Sequence, residues 1–383
     1  MKRMKTYASG LLHGYCLLLC CCIGFVSCYH DEEVIDHVER TNRTVLYYMA
    51  ADNDLAAAEN MQTKAEALAA AWHPGRGENH LVIYLDTGDD TPPHLLEVLP
   101  GIAGSANSLQ VVQEYKPQNS ASHAVFRKVL SDVLLGFPGI DYGLVMFSPG
   151  SGWLPEGTFT QSRSVAADGN RELELSEFAA AIPDGQFLFI LFESSHMAGV
   201  EVAYELKDKT RYIVASAAEV LSPGYTPLYD TLLATLYTQT PPLEEFAEVC
   251  YDYYKDKGGV TISVIDASAL APVKYVLSDA ESHVEHWEYV DRSDIQHFDR
   301  RRENYLFYDL ADYLRVIGTK EENARLQEIL SKAVVYHAAG EAFLPDEEYG
   351  FGISRHCGLT VYIPWAQFTF MNGQRGKLKL FTE

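Results

Sequence analysis

Positive charge is scarce in this chain. Thirty Lys and Arg stand against 53 Asp and Glu, a formal net charge of −23 over 383 residues. Residues 1–27 hold Lys2, Arg3 and Lys5 and no acid, so without them the balance falls to −26. So acidic a surface repels phosphate backbones, which excludes nucleic acid as the expected partner and favours neutral or basic ones. Cysteine is also sparse where it would matter. Of seven, Cys16, Cys20, Cys21 and Cys22 crowd the N-terminus and Cys28 follows them. Cys250 and Cys357 remain, each without metal-ligand spacing or a surrounding motif, and each reads as a buried inert thiol. A Cys250–Cys357 disulfide is left open, since its geometry cannot be read from sequence. No EF-hand-like run of ligands appears, and the expectation is no metal and no cofactor. Beyond the N-terminus no stretch approaches the roughly 18 apolar residues of a membrane span. Internal repeats and low-complexity tracts are absent as well.

What is present begins with an address. A basic start (MKRMK) precedes an apolar stretch ending Ile23-Gly24-Phe25-Val26-Ser27-Cys28, the pattern of a secretory signal. Val-Ser-Cys resembles a lipobox in which Cys28 is acylated after cleavage, although Phe25 is unusual at its position. Tyr29-His30-Asp31-Glu32-Glu33 then resembles the acidic export tag of bacterial surface lipoproteins. The expected organisation is a signal peptide over 1–27 and a tether over 28–42. Cys28 is the expected lipid anchor, holding the protein at the bacterial cell envelope, on the outer membrane or cell surface. A plain cleaved signal peptide is the alternative.

Two stretches dominate the remainder. Leu144–Phe147 is a short apolar run that breaks into Ser148-Pro149-Gly150-Ser151-Gly152-Trp153. Phe187–Phe192 is a second, passing through Glu193-Ser194-Ser195-His196-Met197 into a helical pattern. Both runs have the length and composition of fully buried strands. In an open α/β sheet, ligands collect in the crevice beyond the carboxyl ends of parallel strands. Ser148–Gly152 and Glu193–His196 are therefore the candidate site.

This pair resembles the signature of the clostripain family of cysteine peptidases, relatives of caspases and gingipains. In that family the first strand ends in Trp-Asp/Asn-His-Gly-Ser/Gly-Gly-Trp, whose His is the general base. The second ends in Phe-Asp-Ala-Cys-Leu/Phe-Met, whose Cys is the nucleophile. Phe147, Ser148, Gly150, Ser151, Gly152 and Trp153 fit the first, with Pro149 at the His position. Phe192, Glu193, Ser194, His196 and Met197 fit the second, with Ser195 at the Cys position. Weaker likenesses extend this to about residues 44–365: YMAADNDL at 48–55, the Glu219–Tyr225 segment, VTISVID at 260–266 and GLTVYIP at 358–364. The resemblance implies a caspase-like, three-layer α/β sandwich with a mainly parallel central sheet. Residues 43–270 would form that domain, and 271–383 a C-terminal extension of the same unit. In that family the region at 154–172 carries the self-cleavage segment; here it holds Arg163 and Arg171 but no matching motif, and without a nucleophile no autoprocessing is expected.

A cysteine peptidase needs a thiolate, a base and an oxyanion hole. Proline has no titratable group, so Pro149 cannot be the base, and Ser195 is a weaker nucleophile than Cys. No catalytic residue is expected. His196 directly follows Ser195, but neighbouring residues at a strand end point to opposite faces, which disfavours a direct bond. His123 and His337 are the alternatives for a relocated base. The vestigial cleft would comprise Ser148, Gly150, Ser151, Gly152, Glu193, Ser194, Ser195 and His196. Backbone N–H groups at 150–152 are candidate oxyanion donors. Glu193, at the place of the family's pocket Asp, is the candidate acid for a basic side chain, against a purely helix-terminal role. The expected function is a non-catalytic surface lipoprotein whose cleft binds basic peptides or protein segments. An Arg/Lys-directed endopeptidase built on Ser195 and a purely structural envelope role are the rivals.

The element pattern agrees with an α/β order. Expected strands are Val45–Ala51, Leu81–Leu85, its hairpin partner Leu95–Leu99, and Tyr212–Ala217. Expected helices are 54–72, capped by Asn53 or Asp54, then Ser122–Leu135, Ser176–Ile182 and Pro241–Lys257. Residues 101–121 and 154–172 read as loop, and 270–340 as mostly helical.

Overall fold

A computed structural model describes residues 40–382 apart from 51–59, 89–90, 103, 157, 159–163, 170 and 302. Cys28, the export tag, Asp52, Asn53 and Arg163 lie outside the described residues. In chain order the strands are β1 (Arg43–Ala50), β2 (His80–Asp86), β3 (His94–Leu99), β4 (Ser108–Glu114) and β5 (Asp141–Phe147). A small hairpin follows, β6 (Ala166–Asp168) with β7 (Arg171–Leu173), then β8 (Phe187–Glu193), β9 (Thr210–Ala215) and β10 (Thr261–Asp266). β11 (Tyr308–Asp309) and β12 (Val334–Ala339) come late in the chain.

Nine of these form one sheet in the order β12-β10-β9-β8-β5-β1-β2-β3-β4. The middle five, β9 to β2, pair in parallel, and antiparallel strands extend the sheet on both sides. A parallel strand buried on both faces reads as a near-continuous apolar run. β1 shows this: Leu46 and Tyr48 enter the core on one face, Val45, Tyr47 and Met49 that on the other. The first core is closed by helices His123–Gly136, Leu175–Ala181, Val200–Glu205, Val273–Glu281, Leu310–Ile317 and Lys320–Ala333. The second is closed by Met61–Ala71 and Leu243–Tyr254. This is the three-layer α/β sandwich with a parallel centre that the sequence led us to expect.

Four expectations need correction. The helix Met61–Ala71 starts after Asn60, whose Oδ1 accepts Thr63 N–H at 2.9 Å, so the expected helix 54–72 does not run unbroken through residue 60; the expected caps Asn53 and Asp54 lie outside the described residues. Residues 101–121 are not all loop: β4 pairs with β3 there. The 154–172 stretch contains the hairpin strand β6 and the start of β7. The 270–340 region ends in β12, which joins the main sheet beside β10. The C-terminal extension is thus part of the sheet, and residues 40–383 form one unit. Cys250 and Cys357 are free thiols. Among the described residues no helix is long and apolar enough to cross a membrane.

Candidate functional site

The sheet order reverses between β1 and β5, since β2 lies to one side of β1 and β5, β8 and β9 to the other. A crevice forms at the carboxyl ends of strands near such a switch point. Here it is a cleft of about 510 Å³, of the size that holds a ligand group. Phe147–Ser151 from the end of β5 and Glu193–His196 from the end of β8 line it, while Gly152, which the sequence reading placed in the cleft, is not among the lining residues. Glu219–Ser222 and Gly224, beyond β9, supply a third wall. Asp299, Arg300, Arg301, Phe307 and Tyr349 supply a fourth, which no local pattern foretells.

The β5 end is tightly built. Ser148 Oγ is buried and accepts Ala167 N–H at 3.1 Å from β6. Gly150 packs so closely that a Cβ would lie 3.0 Å from Ser194 Cβ and from Ser195 O. Gly152 turns at φ +66°, where a side chain would meet His196 O at 2.8 Å. Ser151 N–H donates to Ser164 O at 2.8 Å, so it is spent, and the expectation that 150–152 jointly present free amides does not hold.

At the β8 end, Ser194 Oγ donates to Met146 O at 3.3 Å. Ser195 Oγ accepts Val220 N–H at 3.1 Å. His196 takes a left-handed backbone at φ +58°, so the alternation of a strand no longer applies to it. Its ring is buried and stacks on Phe307, centroids 4.3 Å apart and 2° from parallel. Nδ1 lies 3.0 Å from Ala217 O, the geometry of an N–H donating to that carbonyl. Burial lowers the ring's pKa, while Glu219, Asp299 and the Ala217 bond pull it upward. Among the described residues no histidine nitrogen hydrogen-bonds Ser195. His123 opens the helix His123–Gly136, and His337 sits on the edge strand β12 beside His356. Neither lines the cleft.

Glu193 departs furthest from expectation. It is 2% exposed, and its carboxylate is enclosed from below rather than offered to a ligand. Oε1 pairs with Lys64 Nζ at 2.7 Å and accepts Tyr225 N–H at 2.7 Å. Oε2 accepts the Tyr47 hydroxyl, with the Tyr229 hydroxyl at 3.3 Å. Burial and then Glu193 push both phenols well above their ordinary pKa, which keeps their protons in place as donors. The reading of Glu193 as the acid for a partner's basic side chain is therefore corrected: its counter-ion is Lys64. The acid that does face the cleft is Glu219, 38% exposed at its side chain and 3.6 Å from Arg300 Nη1. Arg300 is shared with Glu347, and Arg301 pairs with the buried Asp299 at 2.9 Å. Among the described residues no cluster of three or more His, Cys, Asp or Glu is placed to hold a metal.

The clostripain family model matches residues 47–348, which takes in all four walls of this cleft apart from Tyr349. The chain belongs to the clostripain family. Its fold overlays at TM-score 0.76 on an inactive zymogen C11 protease from Parabacteroides distasonis, 26% identical, covering 90% of this chain and 98% of that one. A secreted C11 cysteine protease from Bacteroides thetaiotaomicron, solved with an irreversible peptide inhibitor, is 24% identical at TM-score 0.72, covering 89% and 98%. A second structure of a secreted C11 cysteine protease from that organism gives 0.76 at 19% identity, covering 90% and 99%. A comparison with curated proteins finds no match.

Proposed function

We propose that this clostripain-family protein is non-catalytic and binds extended polypeptide segments in its cleft, held at a bacterial envelope by lipid on Cys28. The observation that carries this is the state of Ser195. Its hydroxyl accepts a backbone N–H from Val220, and the residue at the family's base position is Pro149. A serine hydroxyl without a base to take its proton is a poor nucleophile. Loss of either member of such a pair costs on the order of 10⁴–10⁶ in rate. The cleft is nevertheless open, with a volume suited to a peptide side chain, which argues against a purely structural role. Main-chain pairing beside the strand ends supplies affinity, and Glu219 supplies the preference for a basic residue.

The test is hydrolysis of a peptide library with every residue at the cleavage position, by the wild type and by Pro149→His/Ser195→Cys. A silent wild type and a double variant faster by about 10² or more support a cleft that has lost only its chemistry. Wild-type cleavage abolished by Ser195→Ala would mean a serine-type enzyme instead.

A further inference from the structure

The floor of the cleft is a finished ammonium cage. Lys64 reaches it from the helix Met61–Ala71 with 2% of its side chain exposed. Its Nζ lies 2.7 Å from Glu193 Oε1 and 2.7 Å from Thr226 Oγ1, with Pro223 O at 3.4 Å. The ring of Phe147 is centred 4.1 Å from Nζ, and that of Tyr229 5.4 Å. A carboxylate, a hydroxyl, a carbonyl and two aromatic faces are what recognises an alkylammonium. Phe147, Glu193 and Gly224 belong both to this cage and its edge and to the cleft lining.

We propose that Lys64 sets the selectivity of the cleft: its ammonium fills, from inside the chain, a cation cage that a ligand's basic side chain would otherwise enter. The floor then takes uncharged side chains, and a ligand's positive charge is left to Glu219 at the mouth. The statement about ligand side chains rests on the peptide-binding reading; the cage does not. A second cation at the floor would share one carboxylate with Lys64 and bury like charges together, an arrangement that costs far more than it returns. Removing Lys64 has the opposite effect. Glu193 would keep its phenols and its amide but lose its counter-ion, and the space of a butylammonium would open beside it.

The experiment is thermal unfolding of the full chain with and without n-butylammonium. Lys64→Ala should lower the melting temperature by about 5 °C. Butylammonium should restore at least half of that shift while leaving the wild type unmoved. Lys64→Met/Glu193→Gln removes both charges, so it should melt near the wild type and ignore the amine. Equal response of wild type and Lys64→Ala to the amine overturns the proposal, as does an undiminished melting temperature in Lys64→Ala. If Lys64→Ala does not fold, refolding yield replaces melting: recovery with butylammonium supports the cage, and none overturns it. Peptides differing only in lysine against norleucine then test selectivity. Lys64→Ala should gain about 10-fold for lysine over the wild type's ratio, and an unchanged ratio overturns the selectivity role. Amine rescue in a protein that binds no peptide would sustain the cage and remove the peptide-binding reading.

Discussion

Glu193 and Glu201 stand a short way apart in the chain, and each is at most 2% exposed, yet their surroundings treat them oppositely. At the cleft floor Glu193 receives an ammonium, two phenols and a backbone amide. In the first turn of the helix Val200–Glu205, Glu201 receives Tyr362 N–H at 2.8 Å and, among the described residues, no ion pair. Burial drives its pKa up to about 7, against the pull of that amide and of Arg375. Burial alone neutralises an acid; partners that keep it paired must be supplied by the sequence. The region beneath the cleft is therefore far more specified than the region behind it.

The sharpest way to break that contrast is to crowd the Glu193 cage. Gly224 has φ +62°, and a Cβ there would fall 2.1 Å from Glu193 Oε1. Its carbonyl also accepts the buried Tyr254 hydroxyl. Gly75 has almost the same φ, +65°, with nothing within 4 Å of a built Cβ. Gly75→Ala should cost about 1 kcal/mol, the left-handed backbone term alone. Gly224→Ala should cost roughly 3–5 kcal/mol, because the carboxylate must leave its partners. Denaturant unfolding of both variants measures the difference. Equal losses would show that the cage yields without penalty.

The second perturbation acts on Glu201. Its folded pKa, about 7, lies above the ordinary 4.5, so folding favours the protonated form. The resulting stability is complete below pH 4.5 and is lost as pH rises through 7, an amount of about 3 kcal/mol. Glu201→Gln imitates the protonated acid and removes the dependence. The variant should match the wild type near pH 4.5 and exceed its stability by about that amount at pH 8. Parallel stability curves would place the neutralised acid elsewhere.

The sequence exposed the cleft and hid its floor, for a physical reason. β5 and β8 announce themselves because doubly buried strands are apolar along most of their length, and their ends are marked by the Gly-rich turn and the small polar residues that follow. β4, SLQVVQE, went unseen because an edge strand is held by pairing with β3 and leaves most of its side chains in water. Lys64 went unseen for another reason. It sits in an Ala-rich helix where lysine is ordinarily a solvated helix former, and its partner lies 129 residues away. Arg300 and Arg301 belong to a charged run that reads as a solvated surface. A contact at that separation has no local period, so only the fold reveals it.

Glu219 supplies the smallest effect and the cleanest counterpart to Glu193. It is the same side chain on the same cleft, but exposed, and its pairing with Arg300 is loose at 3.6 Å. An exposed pair contributes little to stability, about 0–1 kcal/mol, so Glu219→Gln should leave unfolding almost unchanged. Its influence should fall on binding instead. Glu219→Gln should weaken an Arg-containing peptide by about 3-fold, and Glu219→Lys by about 10-fold. Both differences should shrink in 1 M salt, where screening acts over roughly 3 Å. A fluorescence titration at two salt concentrations decides it. Affinity indifferent to both substitutions would mean that the cleft reads no positive charge at its mouth; with Lys64 holding Glu193 and Arg301 holding Asp299, a preference for basic segments would have no unpaired acid among the described lining residues to carry it.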